Sequence, residues 1–369
     1  MFRRSKNNIF WYILLKPISL VYGFIVFIRN KLFDFKILRS VEFDTPVISV
    51  GNITVGGTGK TPFIEFLVSI LENKFKVAIL SRGYKRKSKG FLLADNSSTL
   101  EDLGDEPLQM KKKFPEVTLA VDKNRVHGIK ELLNQDNNID VILLDDAFQH
   151  RYVKPGLSIL MIDFNQPLSE DHYLPYGQLR ESPTEKSRAH VVVVTKCPEN
   201  LKPIQQRIIL NELNLYPYQK LYFTTIKYGE MKPVFTASSN NLTKEDCKKG
   251  KYNILLVTGI ANSRPLRKHT RSISPKLKEI KYADHHNFTL KDMKHIGDTF
   301  NKTENNEKII ITTEKDAMRL ISYKEEILPD KKYWYYIPIE VSFHNNAKTS
   351  FIKYIVDYAT KNKRNNLLY

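Results

Sequence analysis

The chain has 369 residues, of which 41% are hydrophobic and 27% charged, so it is long enough for two domains with ordinary globular cores. Its two cysteines, Cys197 and Cys247, exclude a disulfide framework and a cysteine metal site, and they suit a reducing, cytosolic compartment. The formal net charge of +18 predicts an anionic partner, which can be nucleic acid, anionic lipid or a phosphorylated substrate.

An apolar and aromatic stretch runs from Ile9 to Ile28 and is interrupted only around Lys16 and Pro17. Basic residues flank it on both sides and no small-residue cleavage site follows, so we expect neither a cleaved signal peptide nor a clear orientation across a bilayer. Because a central Lys-Pro pair is costly in a spanning helix, the pattern favours a helix in or along one leaflet. An apolar helix packed on the soluble core is the alternative.

Residues 47–71 read as a buried strand, a glycine-rich loop and an amphipathic helix, which is the pattern of a phosphate-binding loop. The glycines let successive N–H groups and the helix dipole point at one anion. Lys60 would neutralise the outer phosphates, and the Thr61 hydroxyl can bind Mg²⁺. Thr54 stands where the strict motif has its first glycine, and a turn that binds nothing is the alternative. The predicted loop comprises Thr54, Val55, Gly56, Gly57, Thr58, Gly59, Lys60 and Thr61.

Short apolar runs then alternate with helical patterns. The runs are continuous, as in strands covered on both faces, which predicts a doubly wound and mostly parallel α/β sheet. Its strands are predicted at 76–80, 118–121, 141–144, 158–162 and 191–194.

The apolar pattern loosens at 223–235, which we interpret as a linker to a second, smaller α/β lobe. That lobe is predicted to have strands at 254–257, 309–312 and 333–337 and a terminal helix at 351–358, with a solvated tail at 361–369. The expected domains are a membrane-associated helix at 1–40, a phosphate-loop core at 41–228 and a C-terminal lobe at 229–369.

The strand predicted at 141–144 is followed by Asp145 and Asp146. A carboxylate at the carboxyl edge of the sheet, beside the phosphate loop, can hold Mg²⁺ directly or through water. An apolar run followed by aspartate is weak evidence alone, because such residues also cap turns. Together with the upstream loop it predicts a nucleotide–magnesium site.

Seven motifs occur together and in order: GNITVGGTGKTP, SRGYKR, GDEP, DDAFQH, GQLRE, DHHNF and TEKDAMRL. This set resembles the tetraacyldisaccharide 4′-kinase family of lipid A biosynthesis, and the resemblance extends from the apolar N-terminus to about Leu320. One departure is Ala147, where the family usually has glycine.

The resemblance implies a membrane-bound P-loop kinase that uses ATP and Mg²⁺. It would transfer the γ-phosphate to the 4′-hydroxyl of an acylated glucosamine disaccharide 1-phosphate, at the cytoplasmic face of the inner membrane. An acylated, anionic substrate accounts for both the apolar N-terminus and the charge excess. We expect no nucleic-acid partner, and no protein partner is indicated.

Carried over onto this sequence, the family's catalytic carboxylate falls on Asp105 and its partner histidine on His285. We expect this pair to form only when the two lobes close on both substrates. Lys60 would stabilise the transferring phosphate. Candidates for the Mg²⁺ shell are Thr61, Glu106, Asp145 and Asp146. Candidates near substrate or phosphates are Arg125, Gln149, His150 and Arg180, with Glu181 as a weaker nucleotide candidate.

Without the resemblance, Asp105 would be interpreted as the start of a helix at Pro107. Two other functions also stay open. A regulatory P-loop NTPase would hydrolyse nucleotide without a lipid acceptor, although Thr195 and Pro198 do not match a guanine-reading motif. A non-enzymatic basic protein binding membrane or nucleic acid would leave the nucleotide motifs unexplained.

Overall fold

The computed structural model describes residues 9–235, 242–303, 307–321 and 331–365. In these residues a long N-terminal helix precedes two sheets, one of nine strands and one of five, with helices packed around them. The predicted fold class is confirmed: a mostly parallel, doubly wound α/β core with a smaller α/β lobe.

The helices are α1 (Ile9–Asp34), α2 (Lys60–Leu71), α3 (Leu100–Leu103), α4 (Asp105–Lys113), α5 (Arg125–Gln135), α6 (Pro203–Leu213), α7 (Lys244–Lys249), α8 (Arg264–Ile273), α9 (Leu290–Asn301), α10 (Glu314–Leu320) and α11 (Lys348–Asn365). The strands are β1 (Val47–Gly51), β2 (Val77–Ser81), β3 (Leu92–Leu93), β4 (Thr118–Val121), β5 (Val141–Asp145), β6 (Leu157–Asp163), β7 (Val191–Thr195), β8 (Lys220–Tyr228), β9 (Lys232–Pro233), β10 (Asn253–Thr258), β11 (Leu277–Lys281), β12 (Lys308–Thr313), β13 (Trp334–Ile337) and β14 (Ile339–Phe343).

The larger sheet has the order β14-β8-β7-β6-β1-β5-β2-β4-β3, in which only the two outermost strands run antiparallel to their neighbours. Its central strand β1 is buried along its whole length and pairs with β5 on one side and β6 on the other. The chain leaves β1 toward β2 and β4, then returns through β5 and continues to β6, β7 and β8. This reversal places the loop after β1 at the topological switch point, where open α/β sheets bind ligands.

The smaller sheet has the order β11-β10-β12-β13-β9, and the four strands other than β9 are parallel. One core of this lobe lies between β10, β12 and the flanking helices α9 and α10, where Val257, Met293 and Leu320 are fully buried. The strands predicted at 254–257, 309–312 and 333–337 are confirmed within one residue at their starts.

The predicted linker at 223–235 is wrong at its start, because 223–228 belongs to β8. This strand mixes buried, half-buried and exposed residues, so it lacks the continuous apolar run of β1, β2 and β5 to β7. The chain also returns to the larger sheet at its end. Strand β14 pairs with β8, and Phe351 of α11 packs against Phe63 of α2. Residues 339–365 therefore lie with the core, whereas we predicted a C-terminal lobe over 229–369; the division into domains stays a prediction.

Helix α1 turns small or polar residues, together with Phe33, toward the protein. Ser19, Gly23, Asn30 and Phe33 are buried and recur at helical spacing. The opposite face is apolar and at least 42% exposed at Ile13, Leu14, Ile18, Leu20, Val21, Phe24, Ile25, Phe27 and Ile28. A helix packed on a soluble core would have the reverse arrangement. Of the described residues, only the Ile13–Asp34 segment is long and apolar enough to cross a membrane.

Candidate active site

The loop between β1 and α2 forms an open cradle. Gly56 and Gly59 have φ values of 118° and 85°, which residues with a side chain rarely adopt. A Cβ at Gly56, Gly57 or Gly59 would meet nothing within 4 Å, so the concave side of the loop is open. Gly59 also precedes α2 without a capping side chain, which leaves the first N–H groups of the helix available to an anion.

Lys60 and Asp146 meet at the mouth of this cradle. The Lys60 Nζ atom lies 3.1 Å from Asn52 Oδ1 and 3.4 Å from Asp146 Oδ1. Arg180 donates to both Asp146 oxygens at 3.1 Å. Burial alone would raise the pKa of Asp146, but the charges of Lys60 and Arg180 lower it. Asp146 has a positive φ of 46°, a strained conformation typical of functional sites.

Asp145 lies one residue earlier, at the end of β5, and is buried. Its Oδ2 accepts a hydrogen bond from Ser81 at 2.9 Å, whereas its buried Oδ1 has no protein partner among the described residues. Burial, followed by the charges of Glu106 and Asp146, raises the pKa of Asp145 to about 6.

Helix α4 brings two further carboxylates to this edge. Burial would raise the pKa of Asp105, but hydrogen bonds from His285 and Arg319 hold it well below its usual range. The His285 Nδ1 atom lies 2.8 Å from Asp105 Oδ2, and Arg319 Nη2 also binds that oxygen. Glu106 is paired with Lys315 at 3.0 Å.

The structure therefore joins residues of both lobes. Asp105 lies beside the larger sheet, while His285 follows β11 of the smaller one. We expected the pair to form on closure of the lobes, whereas the side chains are already in contact here. His285 has a positive φ of 57° and stacks edge-on against Tyr84 at 5.5 Å between ring centroids.

The sequence reasoning assigned no role to Lys315 and Arg319. Both belong to the TEKDAMRL motif, and they are spaced to lie on one face of α10. Arg319 is buried and also binds Asp316 Oδ1 at 2.8 Å, while Asp316 Oδ2 accepts from the backbone N–H of Gly259. The spacing of Lys315 and Arg319 in the sequence could have indicated a role for the pair, but two basic residues four positions apart also occur on many solvated helices.

The substrate candidates occupy two environments. Gln149 accepts a hydrogen bond from Arg180 at 3.3 Å and donates one to the Asn52 carbonyl at 2.8 Å. Gln149 and Arg180 therefore both line the cradle. Arg125 is instead buried and donates to the carbonyls of Asp122 and Asp145, where it supports the end of β5.

His150 also lies near these groups. Burial, followed by the charges of Arg125 and Arg82, lowers the pKa of His150 to about 4, so its imidazole is neutral at neutral pH. A neutral imidazole can accept or donate a hydrogen bond to a sugar hydroxyl. The assignment of His150 and Arg125 to substrate stays a prediction.

The polar face of α1 contacts Arg180 and Gln149, which line the cradle. Tyr22 Oη donates to the Arg180 carbonyl at 3.1 Å, and an Arg29 guanidinium N–H donates to the Gln149 carbonyl at 2.7 Å. Asn30 contacts Glu181 at 3.5 Å. Glu181 is buried and pairs with Arg188, and Gln149 Nε2 lies 3.5 Å from its Oε2 atom; its assignment to the nucleotide stays a prediction.

A phosphate loop at the switch point of a doubly wound sheet, facing carboxylates of the core that a second lobe contacts through a histidine and two cations, defines the class of P-loop phosphotransferases. The chain matches the model of the tetraacyldisaccharide-1-P 4′-kinase (LpxK) family over residues 11–357. It belongs to this family.

Several relatives cover nearly the whole chain. The tetraacyldisaccharide 4′-kinase of Phocaeicola vulgatus is 49% identical over 95% of this chain and 96% of its own length. The protein of the same name in Flavobacterium johnsoniae is 44% identical over 93% and 96%. The solved structure of LpxK from Aquifex aeolicus, in complex with ATP, is similar with a TM-score of 0.70 and 28% identity, covering 92% of this chain and 96% of that one.

Proposed function

We propose that the protein transfers the γ-phosphate of ATP to the 4′-hydroxyl of tetraacyldisaccharide 1-phosphate in lipid A biosynthesis. The observation that carries this proposal is the pair of Asp105 and His285, 2.8 Å apart, beside a phosphate loop whose Lys60 meets Asp146. A site with a loop alone would bind nucleotide. Here the second lobe also holds a carboxylate next to the loop, and this carboxylate can accept a proton from an acceptor hydroxyl.

The loop residues Thr54–Thr61 would bind the ATP phosphates through their N–H groups, with Lys60 on the transferring group. In this role Lys60 exchanges its contact with Asp146 for the γ-phosphate. Arg180 lies on the other side of Asp146 and keeps that carboxylate in place. The acceptor oxygen forms its bond to the γ-phosphorus as the bond to the bridging oxygen breaks, and ADP leaves.

Mg²⁺ fits the same edge of the sheet. Among the described residues no three carboxylate, histidine or cysteine side chains already form a metal-binding cluster. Kinase Mg²⁺ needs none, because it is held by one or two carboxylates together with the phosphates and water. The unpartnered Oδ1 of Asp145 suits it. Asp145, Asp146, Glu106 and Thr61 are the candidates from which its one or two carboxylates and its hydroxyl ligand would come, and the ion would neutralise charge on the phosphates.

Asp105 would accept the proton of the 4′-hydroxyl. Both His285 and Arg319 bind its Oδ2, which leaves Oδ1 as the oxygen for the substrate. The low pKa keeps Asp105 ionised at neutral pH but makes it a weak base. A weak base suffices when phosphoryl transfer is loose, because the hydroxyl becomes acidic only as its bond to phosphorus forms.

The acylated substrate would reach this site from a bilayer, and α1 supplies the anchor. Its apolar face is exposed, and its polar face contacts Gln149 and Arg180. A helix lying along one leaflet would thus bring the active site to the depth of the sugar headgroup. The enzyme would act at the cytoplasmic face of the inner membrane, because the cytoplasm supplies the ATP.

The regulatory NTPase is not favoured, because family membership and the second-lobe histidine both point to an acceptor other than water. One assay separates the two functions. The protein is incubated with γ-labelled Mg-ATP, with and without the acylated disaccharide 1-phosphate. Label in the lipid supports the kinase, whereas label released only as inorganic phosphate, at a rate that the lipid does not change, refutes it.

A further inference from the structure

Helix α10 provides a cation to each of the two adjacent carboxylates at the start of α4. Arg319 binds Asp105, and Lys315 Nζ lies 3.0 Å from Glu106 Oε1. Arg319 already orients Asp105 in the reaction described above, whereas Lys315 has no part in it. Arg319 is buried between Asp105 and Asp316, so its removal would strand two carboxylates. Lys315 is 20% exposed, and its role can be tested without that loss.

Lys315 has a second contact, which is with His285. Its Nζ atom lies 3.2 Å from His285 Nε2. An ammonium group has three donors and no acceptor, so Nε2 has to accept this hydrogen bond through its lone pair. The ring proton of His285 then resides on Nδ1.

The opposite side of the ring agrees with this assignment. Nδ1 lies 2.8 Å from Asp105 Oδ2, and an ionised carboxylate only accepts hydrogen bonds. Arg319 Nη2 lies 3.3 Å from Nδ1, but the same nitrogen donates to Asp105 Oδ2, which is its closer acceptor. The chain Lys315–His285–Asp105 thus runs from donor to acceptor at each step.

We propose that Lys315 is a positioning residue that fixes His285 as the neutral Nδ1–H tautomer and so holds Asp105 for the 4′-hydroxyl. The proposal rests on the kinase function above, since it gives Asp105 that task. With the proton on Nε2, the Nδ1 lone pair would face the carboxylate, and the hydrogen bond that orients Asp105 would be lost.

Loss of the Lys315 ammonium group should affect turnover more than nucleotide binding. Lys315→Met should lower kcat by about 10- to 100-fold, as is usual when a partner that orients a working group is removed. The Kd for ATP should change by less than about threefold, because Lys315 does not belong to the phosphate loop. Lys315→Arg should restore most of kcat, because a guanidinium also only donates.

The test reads the tautomer directly. The full chain is labelled with ¹⁵N-histidine, and long-range ¹H–¹⁵N spectra report which ring nitrogen carries the proton. The His285 signals are identified by their loss in His285→Gln. Lys308→Met is the matched control, because Lys308 lies at the other end of β12 and donates to two carbonyls, those of Phe300 and Thr303.

We expect a proton on Nδ1 and none on Nε2 in the wild type, in Lys315→Arg and in Lys308→Met. In Lys315→Met that single state should be lost, with Nε2 protonated in part of the molecules, together with the fall in kcat. An unchanged tautomer in Lys315→Met overturns the proposal, even if kcat falls, because Lys315 would then act only through Glu106 or the fold. A wild-type Nε2–H ring overturns it as well. The spectra need no substrate, so failure of the kinase function would appear separately, as absence of lipid product.

Discussion

The exposed apolar face of α1 predicts how strongly the protein holds to a bilayer. Phe24 and Phe27 are 62% and 54% exposed and lie on the apolar face of α1. Complete burial of such a side chain is worth about 1.5–3 kcal/mol, so inserting the part still exposed is worth about 1–2 kcal/mol for each. The double variant Phe24→Ser with Phe27→Ser should therefore weaken partitioning by a factor between about 30 and about 700.

The assay is flotation of the full chain with phospholipid vesicles at a series of lipid concentrations. Because burial of apolar surface does not depend on ionic strength, about 1 M NaCl should not release the wild type. The matched control is Ile204→Ser with Ile208→Ser on α6, where two apolar residues are 60% and 50% exposed. Release of the wild type by salt, or equal loss in both double variants, would refute an apolar anchor on α1.

Two further predictions concern the core. Lys60→Ala should cost on the order of 3 kcal/mol in transition-state stabilisation, measured as kcat/KM, and near-wild-type activity would mean that ATP binds elsewhere. Lys113→Met leaves the buried Glu65 and Glu314 without the cation they share at 2.6 and 3.4 Å. It should lower the free energy of unfolding in urea by about 2–3 kcal/mol, less than for a wholly buried pair because Lys113 is partly exposed. Lys112→Met should stay within about 0.5 kcal/mol; equal losses would disprove the shared-cation account.

The inner strands of both sheets were predictable because each is a continuous apolar run, and the phosphate loop because its chemistry is local in sequence. Strand β8 was missed at 223–228, since its half-exposed pattern resembles a loop. The pairing of β14 with β8 was missed for another reason: the partners lie more than 100 residues apart, and no periodicity encodes such a pairing.

Some residues of the site could likewise be predicted from the local sequence, and others could not. Asp145 and Asp146 could be inferred from their position after β5, whereas Asp105 alone looked like an ordinary helix start and gained a role only through the family resemblance. The contacts of Lys315 and Arg319 with α4 join residues more than 200 positions apart. Such ion pairs depend on how the two lobes meet, which the local pattern of either segment does not contain.

If both lobes supply one active site, a double-mutant cycle at Asp105 and His285 should reveal their coupling. Phosphoryl transfer to the lipid is measured under saturating ATP for Asp105→Ala, His285→Ala and the double variant. Residues that act as one unit are not additive, so each single change should lower kcat strongly and the double variant should be little worse than the poorer single one. If the two losses multiply in full, or if His285→Ala is harmless, the second lobe does not contribute to catalysis through this pair.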